Sequence, residues 1–300
     1  NKEWFKSKLI RFFTLHILSL FIMKVYRTKK GIVIEESDHF YTLPNENWDT
    51  FINDDNLFNK VREIIQSSAI SEDGHHWIND GLLAPVGNQE VWASGVTYFK
   101  SKLGRQEESK DSGGGTFYEK VYNAERPELF MKATGPNVRG HLQHVRIRQD
   151  STWDVPEPEL TLLISSSGKI LGYTIGNDMS SRSIEGENPL YLPQAKVYRG
   201  SAAIGPCIFI TDSPLSKNTE IKLEVIRDSK LIFSDTIQID QIKRDFKELV
   251  TFLYAEYDFQ SGSFLMTGTG IVPGSDFTLA SKDVVKIHIS GIGTLINPVE

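Results

Sequence analysis

Three carboxylates offer the first chemistry in this chain. Glu157 and Glu159 stand two apart in VPEPEL, and Asp178 closes the run GYTIGND. A strand sends alternate side chains to opposite faces, so the two glutamates project together. The apolar runs TLLIS and KILGYTI flank Ser-Ser-Gly, which predicts a hairpin with its midpoint between Ser167 and Gly168. Pairing outward from that midpoint sets Asp178 against Glu157 and Gly176 against Glu159, to within a slip of one residue. Opposed residues share a face at about 4.5–5.5 Å between Cβ atoms, so three acids converge at one hairpin end. Like charges so placed destabilise a sheet unless a cation neutralises them. An all-oxygen donor set suits a hard divalent ion, and Mg²⁺ is expected, with Mn²⁺ or Ca²⁺ as substitutes; three protein ligands leave positions open for a substrate. The competing reading is a solvated hairpin end whose acids point into water. Pro156 and Pro158 weigh against it by stiffening the presentation of Glu157. Pro158 cannot donate a ladder hydrogen bond, which predicts an edge or a bulge at this strand end.

The chain that must position these acids has 300 residues, enough for one large domain with a smaller partner. A formal charge of −6 and the lack of a Lys/Arg-rich block argue against a nucleic-acid partner and for a small-molecule site. Cys207 is the only cysteine, which excludes an intrachain disulfide and a thiolate metal cluster and favours a reducing, cytoplasmic setting. In AAIGPCIFIT it reads as a packing residue. Residues 1–22 carry basic residues ahead of an apolar run that is short for a bilayer span, and read as an extension outside the fold; a signal or membrane anchor is the alternative. Residues 23–84 alternate short strands with a helix, in which Leu57, Val61, Ile64 and Ile65 share one face, and predict a small α/β domain. His75 and His76 in EDGHHWINDG read as a solvated loop rather than a metal site. Pro85 and Gly87 mark the boundary, and residues 85–300 are strand-rich, without a repeat or a phosphate-binding glycine loop. The glycine-rich 110–116 segment reads as a surface loop or an active-site lid.

The motifs WDVPEPEL, GYTIGNDMSSR, ENPLYLPQAKVY, MTGTGIVPG and GIGTLINPV, in this order, resemble the fumarylacetoacetate hydrolase family over nearly the whole chain from Met23 onward. The resemblance implies an α+β, mainly β fold: a mixed β-sandwich or β-roll catalytic domain behind a small N-terminal domain. It implies Mg²⁺ on Glu157, Glu159 and Asp178, the ligands that the hairpin pairing also brings together. Lys196 in PQAK matches the family's active-site lysine and Arg182 in NDMSSR its arginine near the metal. Glu128 in RPELF matches a glutamate that a dehydratase branch places by the substrate. Thr269 in TGTG matches a carboxylate-binding threonine, and Ser94 and Gly95 in WASG line the pocket. One departure is Ser183, where the family's Ser-Ala-Arg-Asp run has its acid.

The branch follows from a missing imidazole. Hydrolases of the family carry a water-activating histidine three residues after the tyrosine of a Gly-X-X-Tyr motif; here GVTYFKSK puts Ser101 there, and no histidine lies between His76 and His141. His141 and His144 have a ligand-like spacing, but an oxygen-rich site needs no imidazole. The expected activity is therefore dehydration of a 2-oxoacid, a 2-keto-3-deoxypentonate, to 2,5-dioxopentanoate and water, with Lys196 and Glu128 sharing the proton transfers. The alternatives are an acylpyruvate hydrolase, an oxaloacetate decarboxylase, or a non-catalytic metal-stabilised binding protein. A homodimer or homotetramer is expected.

Overall fold

The computed structural model describes residues 22–108 and 115–300, so the expectations for residues 1–21 and for most of the 110–116 segment lie outside the described residues. Strands β1 (Met23–Thr28), β2 (Gly31–Glu36) and β3 (His39–Leu43) form an antiparallel meander. Helices α1 (Trp48–Ile52), α2 (Leu57–Ser67) and α3 (Gly74–Gly81) follow. The predicted apolar stripe forms α2, with Leu57 and Val61 buried and Ile64 and Ile65 packed beside them. The EDGHHWINDG stretch is a correction: its histidines are exposed, but they lie on α3 and not in a loop. Trp77 and Ile78, adjacent on that helix, lean on the core, and this packing overrides the polar composition of the segment.

The rest of the chain runs β4 (Glu90–Gly95), α4 (Phe99–Glu108), α5 (Gly115–Asn123), β5 (Glu128–Thr134), β6 (Asp154–Val155), β7 (Pro158–Ile164), β8 (Ile170–Asp178), β9 (Ser180–Ser181), α6 (Arg182–Glu187), α7 (Leu192–Lys196), β10 (Ala202–Ile210), β11 (Glu220–Arg227), β12 (Lys230–Gln238), α8 (Phe246–Tyr254), β13 (Ser263–Met266), β14 (Val284–Ile289) and β15 (Gly293–Pro298). Nine strands make one sheet in the order β3-β2-β1-β10-β8-β7-β13-β4-β5, and four make a second, β12-β11-β14-β15. The N-terminal strands therefore continue the large sheet through the β1–β10 pairing, with Val25 opposite Ile208. Each face of the large sheet buries its own apolar set. Alternate residues such as Leu160, Leu162, Ile175 and Phe209 meet the second sheet and α8, while Leu163, Ile204, Ile208 and Phe264 meet the N-terminal helices. Cys207 is fully buried in the first set, and burial pushes its thiol up to about 12. No helix among the described residues is long and apolar enough to cross a membrane.

The β7–β8 hairpin lies at the centre of the large sheet, flanked by β13 and β10. Its register is the one the sequence predicts: Glu159 pairs with Gly176 and Pro158 with Asn177, and the Asp178 amide donates to the Glu157 carbonyl at 2.9 Å. Pro158 is not on an outer strand. It is the first residue of an interior one, tolerated because β13 stops pairing at Thr161 and no neighbour on that side asks for its missing N–H. The register shift of the hairpin lies at the other end, between Leu163 and Ile164.

Candidate active site

Where β13 ends, the chain turns across the mouth of the hairpin. Thr267 donates its amide to the Leu160 carbonyl at 3.0 Å, and the Gly268 amide then donates to Glu159 Oε2 at 2.5 Å. Glu157, Glu159 and Asp178 are each no more than 3 % exposed, and each offers an oxygen within 4.8 Å of the others. Their surroundings differ sharply. Glu157 Oε1 lies 3.0 Å from Arg182 Nη2, and Oε2 accepts from Lys196 Nζ at 2.6 Å. Burial alone would raise its carboxyl, but Lys196, Arg182 and Arg105 together hold it well below the ordinary carboxylate range. Glu159 has no ion-pair partner among the described residues; burial, Asp178 and Glu157 push its carboxyl well above that range.

Local signals seat the cations. Ser181 caps α6 by accepting the Ile184 amide at 3.4 Å, which fixes Arg182 as the first helical residue. Asn188 caps the following turn, with Pro189 behind it, and Pro193 opens α7, which ends on Lys196. The Lys196 ammonium, 1 % exposed, donates to Glu157 Oε2, to Asp178 Oδ2 at 3.1 Å and to Ser180 Oγ at 2.5 Å. Three donor hydrogens meet three acceptors.

Ser94, Gly95, Thr269, Arg182 and Lys196 line one cavity with the triad. The Thr269 hydroxyl donates to the Ile271 carbonyl at 3.2 Å, and Ser94 Oγ donates to the Glu128 carbonyl at 3.0 Å. Gly95 faces Glu128 across the β4–β5 pair, and a Cβ on it would lie 2.0 Å from Glu128 Oε2. Only a glycine leaves that carboxylate room. Glu128 itself is half-buried: it borders a neighbouring apolar cleft lined by Phe117, Leu190 and Leu192, while Oε2 is enclosed without a hydrogen-bond partner among the described residues. Burial raises its carboxyl, against the opposing pull of Arg105 and Lys196.

Sequence reading missed three charged residues here. Arg105 on α4 lines the cavity, ion-pairs with Glu185 of α6 and lies 4.0 Å from Glu157 Oε1. Lys132 on β5 is fully enclosed, with Nζ 2.5 Å from Asp178 Oδ1. The signal for Lys132 was present, because Glu128, Phe130 and Lys132 alternate onto one face of ELFMKAT, and a lysine inside an apolar strand needs a partner. Arg105 and Glu185 gave no such signal, since their meeting depends on how α4 and α6 pack.

The donors fit a hard cation. All are oxygens, all are buried, and Glu159 in particular meets two like charges with no ion-pair partner among the described residues. His141, by contrast, accepts the Ile296 amide through Nδ1 at 3.2 Å and is absent from the cavity lining.

Residues 97–300 match the family model for the fumarylacetoacetate hydrolase C-terminal domain. The 2-dehydro-3-deoxy-D-arabinonate dehydratase of Saccharolobus solfataricus is 43% identical over 231 residues, 74% of this chain and 76% of that protein. A solved structure of 2-keto-3-deoxy-D-arabinonate dehydratase, complexed with magnesium and 2,5-dioxopentanoate, superposes with a TM-score of 0.74 at 33% identity, covering 93% of this chain and 98% of that one. With these likenesses over most of its length, the chain belongs to the fumarylacetoacetate hydrolase family.

Proposed function

We propose that the protein is a Mg²⁺-dependent hydro-lyase that dehydrates a 2-keto-3-deoxypentonate to 2,5-dioxopentanoate. Glu157, Glu159 and Asp178 would hold the ion. When bound, Mg²⁺ acts as a Lewis acid that stabilises negative charge developing on a 2-oxoacid. The rest falls to the chain's own groups. Lys196, whose amino group donates three hydrogen bonds at the hairpin end, is suited to protonate the departing C4 hydroxyl. Glu128, its carboxyl raised by burial, is suited to take the C3 proton. The C3–H and C4–O bonds break, a C3=C4 bond forms and water leaves; proton loss at C5 and gain at C3 turn the remaining enone into a C4=C5 enol, and loss of its C5 hydroxyl proton with gain of a proton at C4 gives the dioxo acid. Arg182, Thr269, Ser94 and Gly95 would orient the substrate.

One observation carries dehydration over hydrolysis. At the place of the hydrolases' histidine stands Ser101, whose hydroxyl donates to the Tyr98 carbonyl at 2.7 Å and accepts the Tyr98 amide at 3.2 Å. It is occupied within its own turn and offers no base for water. Proton NMR of the purified protein with Mg²⁺ and a 2-keto-3-deoxypentonate should show 2,5-dioxopentanoate accumulating. Turnover of acylpyruvates or oxaloacetate with no dehydration would reverse the reading, and inertness toward all of them would favour a binding protein. A cytoplasmic homodimer or homotetramer completes the proposal, and sedimentation analysis of the full chain reads the subunit number.

A further inference from the structure

Lys132 holds two parts of the site at once. Besides its 2.5 Å contact with Asp178 Oδ1, its ammonium donates to the Met179 carbonyl at 2.9 Å and to the carbonyl of Lys196. The first two acceptors belong to the hairpin end and its exit, and the third is the last residue of α7. Lys132 thus ties a triad carboxylate to the backbone that carries Lys196. It also engages one of the two oxygens of Asp178, while the other, Oδ2, accepts from Lys196 at 3.1 Å. The other two acids are restricted in the same sense. Glu157 spends its oxygens on Arg182 and Lys196, and Glu159 Oε2 takes the Gly268 amide.

Oxygen supply is what separates the small and large divalent ions. Mg²⁺ demands six ligands at about 2.0–2.1 Å in near-ideal octahedral geometry, whereas Ca²⁺ accepts six to eight at about 2.3–2.6 Å and readily takes both oxygens of a carboxylate. We infer that Lys132 is a positioning residue that sets cation selectivity: by engaging Oδ1 it keeps Asp178 a one-oxygen ligand and so biases the site toward Mg²⁺ over Ca²⁺. The inference rests on the metal site proposed above. A lysine with no water around it is costly unless paired, and here its polar contacts are with the metal ligand, the residue that follows it and the backbone of Lys196.

Calorimetric titration of Mg²⁺ and of Ca²⁺ into chelator-stripped wild-type, Lys132→Met and Lys132→Gln protein tests it, with circular dichroism reporting the fold of each. Loss of Lys132 should lower the ratio of Mg²⁺ to Ca²⁺ affinity by about tenfold or more, within the range expected for groups that orient metal ligands. A ratio unchanged in folded variants overturns the selector role and leaves the metal site standing. A wild type that binds neither ion removes the metal site and the selector with it. Crystals of the wild-type protein soaked in Ca²⁺ answer without a variant: Asp178 bound through one oxygen, with Oδ1 still on Lys132, supports the role, and two-oxygen ligation by Asp178 overturns it.

Discussion

The β7–β8 and β11–β12 hairpins are both antiparallel pairs closed by a tight turn, yet they place their acids in opposite surroundings. β11 alternates buried and part-exposed residues, its turn carries Asp228 and Ser229 at φ 49° and 62°, and its Lys222–Glu224 ion pair, 2.6 Å long, has side chains 44% and 31% exposed. Water screens that pair, and such contacts contribute about 0–1 kcal/mol. β7 is buried throughout, β8 from Leu171 onward, and their common end carries Glu157, Glu159 and Asp178. There each acid needs a specific partner: a lysine, an arginine, a backbone amide or an ion. A solvated acid can be placed without regard to its neighbours, whereas a buried one implies chemistry around it.

Substitutions at the buried end should be the most damaging. Glu157→Ala removes the buried carboxylate that Lys196 and Arg182 share. Urea unfolding should show a loss of about 3–5 kcal/mol, and turnover should vanish. Gly95→Ala forces Glu128 Oε2 away from a Cβ that would sit 2.0 Å from it. Its kcat should fall about 100-fold, as for a catalytic group displaced by roughly 1 Å, while Mg²⁺ affinity stays within about twofold. Equal losses in both would assign Glu128 to the metal instead of the substrate. Glu159→Gln carries the opposite sign in stability, because this acid meets like charges without an ion-pair partner among the described residues. The metal-free variant should be more stable than metal-free wild type by about 1 kcal/mol or more, and should bind Mg²⁺ more weakly, by calorimetry. On the solvated hairpin, Glu224→Ala should change stability by less than about 0.5 kcal/mol. A larger loss there would erase the contrast between the two hairpins.

Local pattern made part of this molecule legible. The spacing of Glu157, Glu159 and Asp178 about a Ser-Ser-Gly turn was enough to pair Glu159 with Gly176, since hairpin register depends on little beyond the turn. The apolar stripe of α2 and the burial of Cys207 were readable for similar reasons. What could not be read was set at long range. β13 runs parallel to β4 across more than 160 residues of chain, and that pairing, with Leu265 opposite Trp92, brings Gly268 to Glu159. Arg105 reaches Glu157 only because α4 packs beside α6. The apolar contacts that make a helix of the polar EDGHHWINDG segment likewise come from strands distant in sequence.

Diffraction from Mn²⁺-soaked crystals, recorded at the manganese absorption edge, tests most directly whether the hairpin end is a cation site. One anomalous peak per chain among Glu157, Glu159 and Asp178, lost in Glu159→Gln crystals, is the result predicted by their geometry. No peak there at saturating Mn²⁺, or a peak that survives the substitution undiminished, would contradict it.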